Sequence, residues 1–203
     1  MKIFSLQVQI VVLSSFLLLN TSFMFSSQTP LDTVRKANKE ILNVFIFNKN
    51  IDKRHELLIR RIVNNSINIP VISGRIINRF CDKISKSQCE YFDRVFQDFL
   101  IVSILGKLHR HHAVHFKYLQ EKIDRNIAVV KAAVTYKNET VDVEYRLENF
   151  EGHWLIVNSI VDDIDMIENY QKQFEKLFLR YPFDKIISRL LNKISRYENK
   201  YGK

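Results

Sequence analysis

Glycine and proline are scarce in this 203-residue chain, at four and three residues. Four glycines leave no Gly-rich loop to cradle a phosphate and no G-x-S-x-G elbow to present a nucleophile, so nucleotide-dependent and serine-hydrolase chemistries are not expected. Three prolines form no Pro-rich linker. With neither a low-complexity segment nor an internal repeat, nothing marks a cut between domains. The two cysteines, Cys81 and Cys89, have no close Cys or His neighbours at zinc-ligand spacing. The histidine group His109, His111, His112 and His115 contains no Glu, so H-E-x-x-H is absent. His111 and His115 would share a face of a helix at i, i+4, but they fall where the hydrophobic period changes, and no metal or other cofactor is expected.

What is present is an ordinary globular balance, 46% hydrophobic and 26% charged, which argues against disorder. The net charge of +9 is dispersed rather than gathered into a Lys/Arg block. Nucleic acid is therefore not the expected partner. An anionic lipid headgroup, or solubility alone, suits such a surface better. At the start, Lys2 precedes an apolar run from Ile10 to Leu19 that Ser14 and Ser15 interrupt. A membrane span wants about 20 apolar residues, so residues 1–27 read as a signal segment and 28–203 as the mature domain. Ser22, Ser26 and Ser27 are candidate last signal positions, an uncleaved anchor is the alternative, and no Cys follows the run to carry a lipoprotein anchor. Export would place Cys81 and Cys89 in an oxidising compartment across a junction between two helices; a disulfide and two buried thiols both remain open.

Along the mature chain, Thr29-Pro30-Leu31-Asp32 has a helix-start pattern of cap, first-turn proline and acid, followed by apolar Leu31, Val34, Ile41, Val44 and Phe45. A second helix is predicted from about Ile51 to Val63 with Leu57, Leu58, Ile62 and Val63 inward, and a third opens at Pro70 with Ile72, Ile76 and Phe80. Ser85 and Gln88 have capping-box spacing ahead of a long helix whose apolar residues, Tyr91 through Leu108, exceed a single stripe and predict burial on two sides. From about Ala113 the period becomes two. Val114, Phe116 and Tyr118, then Ala128 to Tyr136, then Val141 to Leu147, and finally Trp154 to Val161 predict antiparallel strands joined by short turns. Two closing helices complete a single α+β domain, a curved antiparallel sheet of about four strands covered by helices.

The stretch GHWLIVNSIVDDIDMIENYQKQFEKLFLRYPFDKIISRLL, Gly152 to Leu191, resembles the closing section of the MlaC, or toluene-tolerance, family. The family's W-x-x-x-D, Y-R-x-Q-F and G-x-D-x-L-L landmarks find counterparts at Trp154 to Asn158, Tyr170 to Phe174 and Pro182 to Ile187. Upstream, Ile67-Asn68-Ile69, Ile84-Ser85 with Gln88, Phe92 and Phe96, and the strand Asp142 to Leu147 are similar to further family segments. Departures fall at Asn68, Asn158, Asp163, Asp165, Gln171 and Pro182.

The resemblance implies a periplasmic lipid carrier, not an enzyme, that holds a phospholipid by its acyl chains in an apolar cavity between sheet and helices. It would shuttle lipid between outer and inner membranes for an ABC transport system and so maintain outer-membrane lipid asymmetry. Implied partners are an inner-membrane ABC transporter complex and an outer-membrane lipoprotein complex, with transient membrane contact; a monomer is expected. The candidate lining is Phe92, Phe96, Phe99 and Leu100 from the long helix, with Val130, Val134, Val143, Tyr145 and Trp154 from the strands. The same residues suit an ordinary packed core. The alternative is accordingly an exported basic protein-interaction module with a solid interior and no lipid ligand.

Overall fold

The computed structural model describes residues 28–47, 52–110, 114–137 and 139–201. The expected signal segment, and His111 and His112, lie outside them. Four helices come first, α1 (Pro30–Phe47), α2 (Lys53–Ser66), α3 (Ile69–Cys81) and α4 (Lys86–Arg110). Strands β1 (Val114–Asp124), β2 (Ile127–Tyr136), β3 (Glu139–Phe150), β4 (His153–Val161) and β5 (Ile164–Asp165) follow, and α5 (Met166–Arg180) and α6 (Phe183–Tyr201) close the chain. The sheet is an antiparallel meander in sequence order, β1 to β5. No described helix is long and apolar enough to cross a membrane.

Local chemistry fixes the helix starts. The Thr29 hydroxyl accepts from the Asp32 N–H at 3.1 Å, and Leu31 N–H donates to Glu121 on β1 at 2.8 Å, which pins the start of α1 to the sheet. At α2, the Asp52 carboxylate accepts from the N–H groups of His55 and Arg54, and these hold its pKa below the ordinary value. Ser85 and Gln88 form the expected capping box, Gln88 N–H to the Ser85 hydroxyl and Ser85 N–H to the Gln88 side chain. Just before it, Cys81 and Cys89 are joined in a disulfide that staples the end of α3 to the start of α4, with Cα atoms 5.2 Å apart.

Several family departures acquire a physical reading here. Asn68 caps α3 by accepting from Val71 N–H, a task any short polar side chain performs. Asp163 adopts φ +63°, the left-handed region that glycine enters most readily, and Asp165 caps α5 by accepting from Glu168 N–H. Asn158, buried on β4, donates to the same Asp165 carboxylate at 2.8 Å. Gln171 on α5 donates to the Arg75 carbonyl of α3, so it ties two helices together.

The core is divided. One cluster lies among α3, α4, α5 and α6 around Phe80, Phe92, Phe96, Phe99 and Phe174. A second joins α1, α2, α4 and α6 around Val44, Ile59, Ile62, Val63 and Leu105. A third lies between α1 and the sheet, with Val34 against Ala128, Val130, Leu147, Trp154 and Ile156. Ile67, between α2 and α3, touches all three and bridges to Ile156 of β4. The long helix α4 enters both helical clusters, as its two-sided apolar pattern predicts.

One orientation differs from expectation. Leu57 and Leu58 of α2 face outward, and Glu56 faces inward instead. Its carboxylate accepts from the Tyr197 hydroxyl of α6 at 2.7 Å and stands 3.1 Å from His109 Nε2 of α4, while Arg60 Nε lies 3.4 Å away. With a complete set of partners the acid can be buried, and the helix is turned so that Glu56, Ile59, Val63 and Ser66 form its inner stripe. Hydropathy periodicity ranks Leu ahead of Glu for the interior and cannot see partners that arrive from 53 and 141 residues away.

Candidate functional site

The helix-facing side of the sheet is built in rows by strand register. Phe116, Val134 and Val141 are cross-strand partners, as are Tyr118, Ala132, Val143 and Val161. Below them run Glu121, Val130, Tyr145 and Ser159, then Ile123, Ala128, Leu147 and Ile156. Simple alternation places these residues on one face along β2 and β3, but not along β1 and β4. A bulge at Leu119 shifts the inward set of β1 from Tyr118 to Glu121, and a second bulge leaves Val157 as an extra residue on β4.

The two ends of this face differ. At the lower end Ala128, Val130, Leu147, Trp154 and Ile156 are buried beneath Val34 of α1. At the upper end Phe116, Val134, Val141, Val143 and Val161 are only half-buried. An apolar strip of this kind leaves methyl groups against water unless something lies on it. Between the ends sits a small polar group: Asn38 of α1 donates to the Tyr118 hydroxyl at 3.2 Å and also bonds the Tyr145 hydroxyl. Burial pushes the Tyr145 hydroxyl up to about 12, because a phenolate there would lose its water. Arg35 stands over the Tyr118 ring at 5.3 Å.

Beside Trp154, a cleft of about 110 Å³ opens between α1, α2 and the start of β4, lined by Lys36, Glu40, Asn65, Ser66 and His153 among others. Small-molecule pockets measure roughly 300–1,000 Å³, so this cleft has room for a small polar group and not for acyl chains.

The nine candidate lining residues therefore fall in different places. Val134 and Val143 lie on the half-open strip, and Val130, Tyr145 and Trp154 lie at or beside its closed end. Phe92, Phe96, Phe99 and Leu100 are brought together with one another but not with the strands. Their ring partners are on α5 and α6: Phe96 meets Phe174 edge-on at 5.0 Å, and Phe92 lies 5.6 Å from Phe178 and 6.4 Å from Phe183. Phe116, Val141 and Val161 belong to the strip as well, and the alternation that marked them as strand residues was the available signal. Asn38 carried no signal, since its partners are on strands. Of the histidines, His109 is engaged with Glu56, and His115 is exposed on β1. No group of three potential metal ligands occurs among the described residues.

The family model described as MlaC protein matches residues 35–192. The chain belongs to the MlaC family. A solved structure similar to this MlaC-family chain is the phospholipid-binding protein from Ralstonia solanacearum, determined in complex with a phospholipid. It aligns with a TM-score of 0.68 over 84% of this chain and 98% of that one, at 17% identity, a likeness that establishes a shared fold. No curated protein matches the chain.

Proposed function

We propose that this MlaC-family protein is a periplasmic phospholipid carrier that seats acyl chains on the half-open strip of the sheet and performs no covalent chemistry. The observation that carries the reading is the strip itself, Phe116, Val134, Val141, Val143 and Val161, apolar and incompletely covered next to a well-packed helical layer. Family membership and the phospholipid held by the protein of similar fold support it. At about 0.8 kcal/mol per methylene, a two-tailed lipid of roughly 30 methylenes needs more than 20 kcal/mol of replacement for its apolar surroundings to cross water. In this reading the chain serves an ABC transport system between inner and outer membranes, maintains outer-membrane lipid asymmetry, and meets a transporter complex and a lipoprotein complex in turn.

Phe96 is unsuitable for the test, because a charge there would break the helical core. Val143 is half-buried on the strip. Protein purified from the periplasm should carry phospholipid by native mass spectrometry and lipid extraction, and Val143→Asp should lose it while circular dichroism stays unchanged. Folded wild-type protein that holds no lipid after exposure to membranes would leave the interaction-module reading in its place.

A further inference from the structure

The outward face of α2 has a composition that packing within the chain does not explain. Arg54, Leu57, Leu58 and Arg61 occur at i, i+3, i+4 and i+7, so they form one stripe, opposite the buried stripe of Glu56, Ile59, Val63 and Ser66. Leu57 is 58% exposed and Leu58 42%. Lys53 adds a third exposed cation at the helix start. The carboxylates near it are spoken for: Glu56 points into the core and Asp52 caps the helix. Arg54 does approach Asp52 at 3.5 Å, but its side chain is 91% exposed and such a pair is weak. In the last turn of α1, within the same helical hairpin, Ile46 is 67% exposed.

We infer that this face of α2 docks the protein on an anionic lipid bilayer, with Leu57 and Leu58 entering the headgroup boundary and Lys53, Arg54 and Arg61 meeting lipid phosphates. Charge complementarity selects the occupant. Cations at both ends of a leucine pair let the helix lie parallel to the surface while the long basic side chains reach outward to the phosphate plane. The positive net charge, +9 for the full chain and +8 once Lys2 leaves with the signal segment, draws the whole molecule to the same surface. Glu56 is what exposes the leucines: by satisfying His109 and Tyr197 inside, it turns Leu57 and Leu58 to the outside. The inference rests on the carrier reading in one respect, that a lipid carrier must meet a membrane or a membrane-bound partner.

Co-sedimentation of the purified protein with phosphatidylglycerol vesicles, against phosphatidylcholine vesicles, tests it at low salt and at 0.5 M salt. Wild type should bind the anionic vesicles and release at high salt. Each basic residue near such a surface is worth about fivefold in affinity, so Arg54→Gln with Arg61→Gln should weaken binding about thirtyfold. Leu57→Ser with Leu58→Ser should weaken it by at least tenfold without altering the salt dependence. Both pairs are solvent-facing, so circular dichroism should not change. Wild type that stays in solution with anionic vesicles, or variants that sediment as wild type does, would overturn the docking face; retention on an acidic protein partner with no vesicle binding would do the same. Lipid content by native mass spectrometry separates the two readings. A lipid-loaded protein that ignores vesicles refutes the docking face alone, and a vesicle-binding protein that is always lipid-free refutes the carrier alone.

Discussion

Replacing Glu56 by alanine should cost this protein a large part of its stability, because three helices depend on one carboxylate. Glu56 of α2 accepts from Tyr197 of α6 at 2.7 Å, faces His109 Nε2 of α4 at 3.1 Å and is approached by Arg60 Nε at 3.4 Å. The Glu56 and His109 side chains are 5% and 6% exposed, so water does not replace the lost partner. Breaking a buried charged network from one side typically costs about 3–5 kcal/mol, against a total stability of about 5–15 kcal/mol for a domain. Urea unfolding at pH 7, followed by circular dichroism, reads the loss directly. The pH dependence adds a second signature. Burial alone would raise the Glu56 pKa, but the hydrogen bonds from His109 and Tyr197 and the charge of Arg60 outweigh it, and the net value lies below the ordinary 4.5. The unfolded chain therefore takes up this proton first as pH falls. The stabilisation is complete above about pH 4.5 and is lost as pH drops through the lower folded value. Glu56→Gln should flatten the acid limb of the stability curve, in addition to a smaller loss at pH 7. An alanine variant within 0.5 kcal/mol of wild type would refute the account of why Glu56, and not Leu57, faces inward.

Reduction of the Cys81–Cys89 bridge, or the double change to serine, releases a short loop of separation 8. Chain entropy puts the loss at about 2.5 kcal/mol, and urea midpoints that agree with and without reductant would contradict it. Tyr145, held up to about 12 by burial, should ionise late in an absorbance titration at 295 nm. The difference between wild type and Tyr145→Phe isolates it, and stability tied to the neutral hydroxyl should persist below pH 10 and disappear between 10 and about 12; a difference spectrum that titrates near 10 argues against a buried ring. Asp165→Ala removes the α5 cap and the acceptor of buried Asn158, for an expected loss of about 1–2 kcal/mol in thermal or urea unfolding. No measurable change would show that water serves both donors.

By itself the sequence determined what depends on near neighbours. The cap at Thr29, the capping box of Ser85 and Gln88, the period-two strands and the two-sided long helix are all encoded within a few residues of where they act, and each is found in place. The family motifs were legible for the same reason, as short ordered segments along the chain. Only the tertiary structure decided matters that join distant segments. Leu57 and Leu58 were expected inside, and lie outside because His109 and Tyr197 come from elsewhere in the chain to partner Glu56. Phe92, Phe96, Phe99 and Leu100 read as packed core from their pattern and as cavity wall from the family resemblance, and the arrival of α5 and α6 placed them among Phe174, Phe178 and Phe183. The bulge at Leu119, which turns Glu121 toward the start of α1, depends on a strand register that no single strand contains. Hydropathy gives each residue a preference for burial, but which preferences are met is settled by the partners that the fold brings.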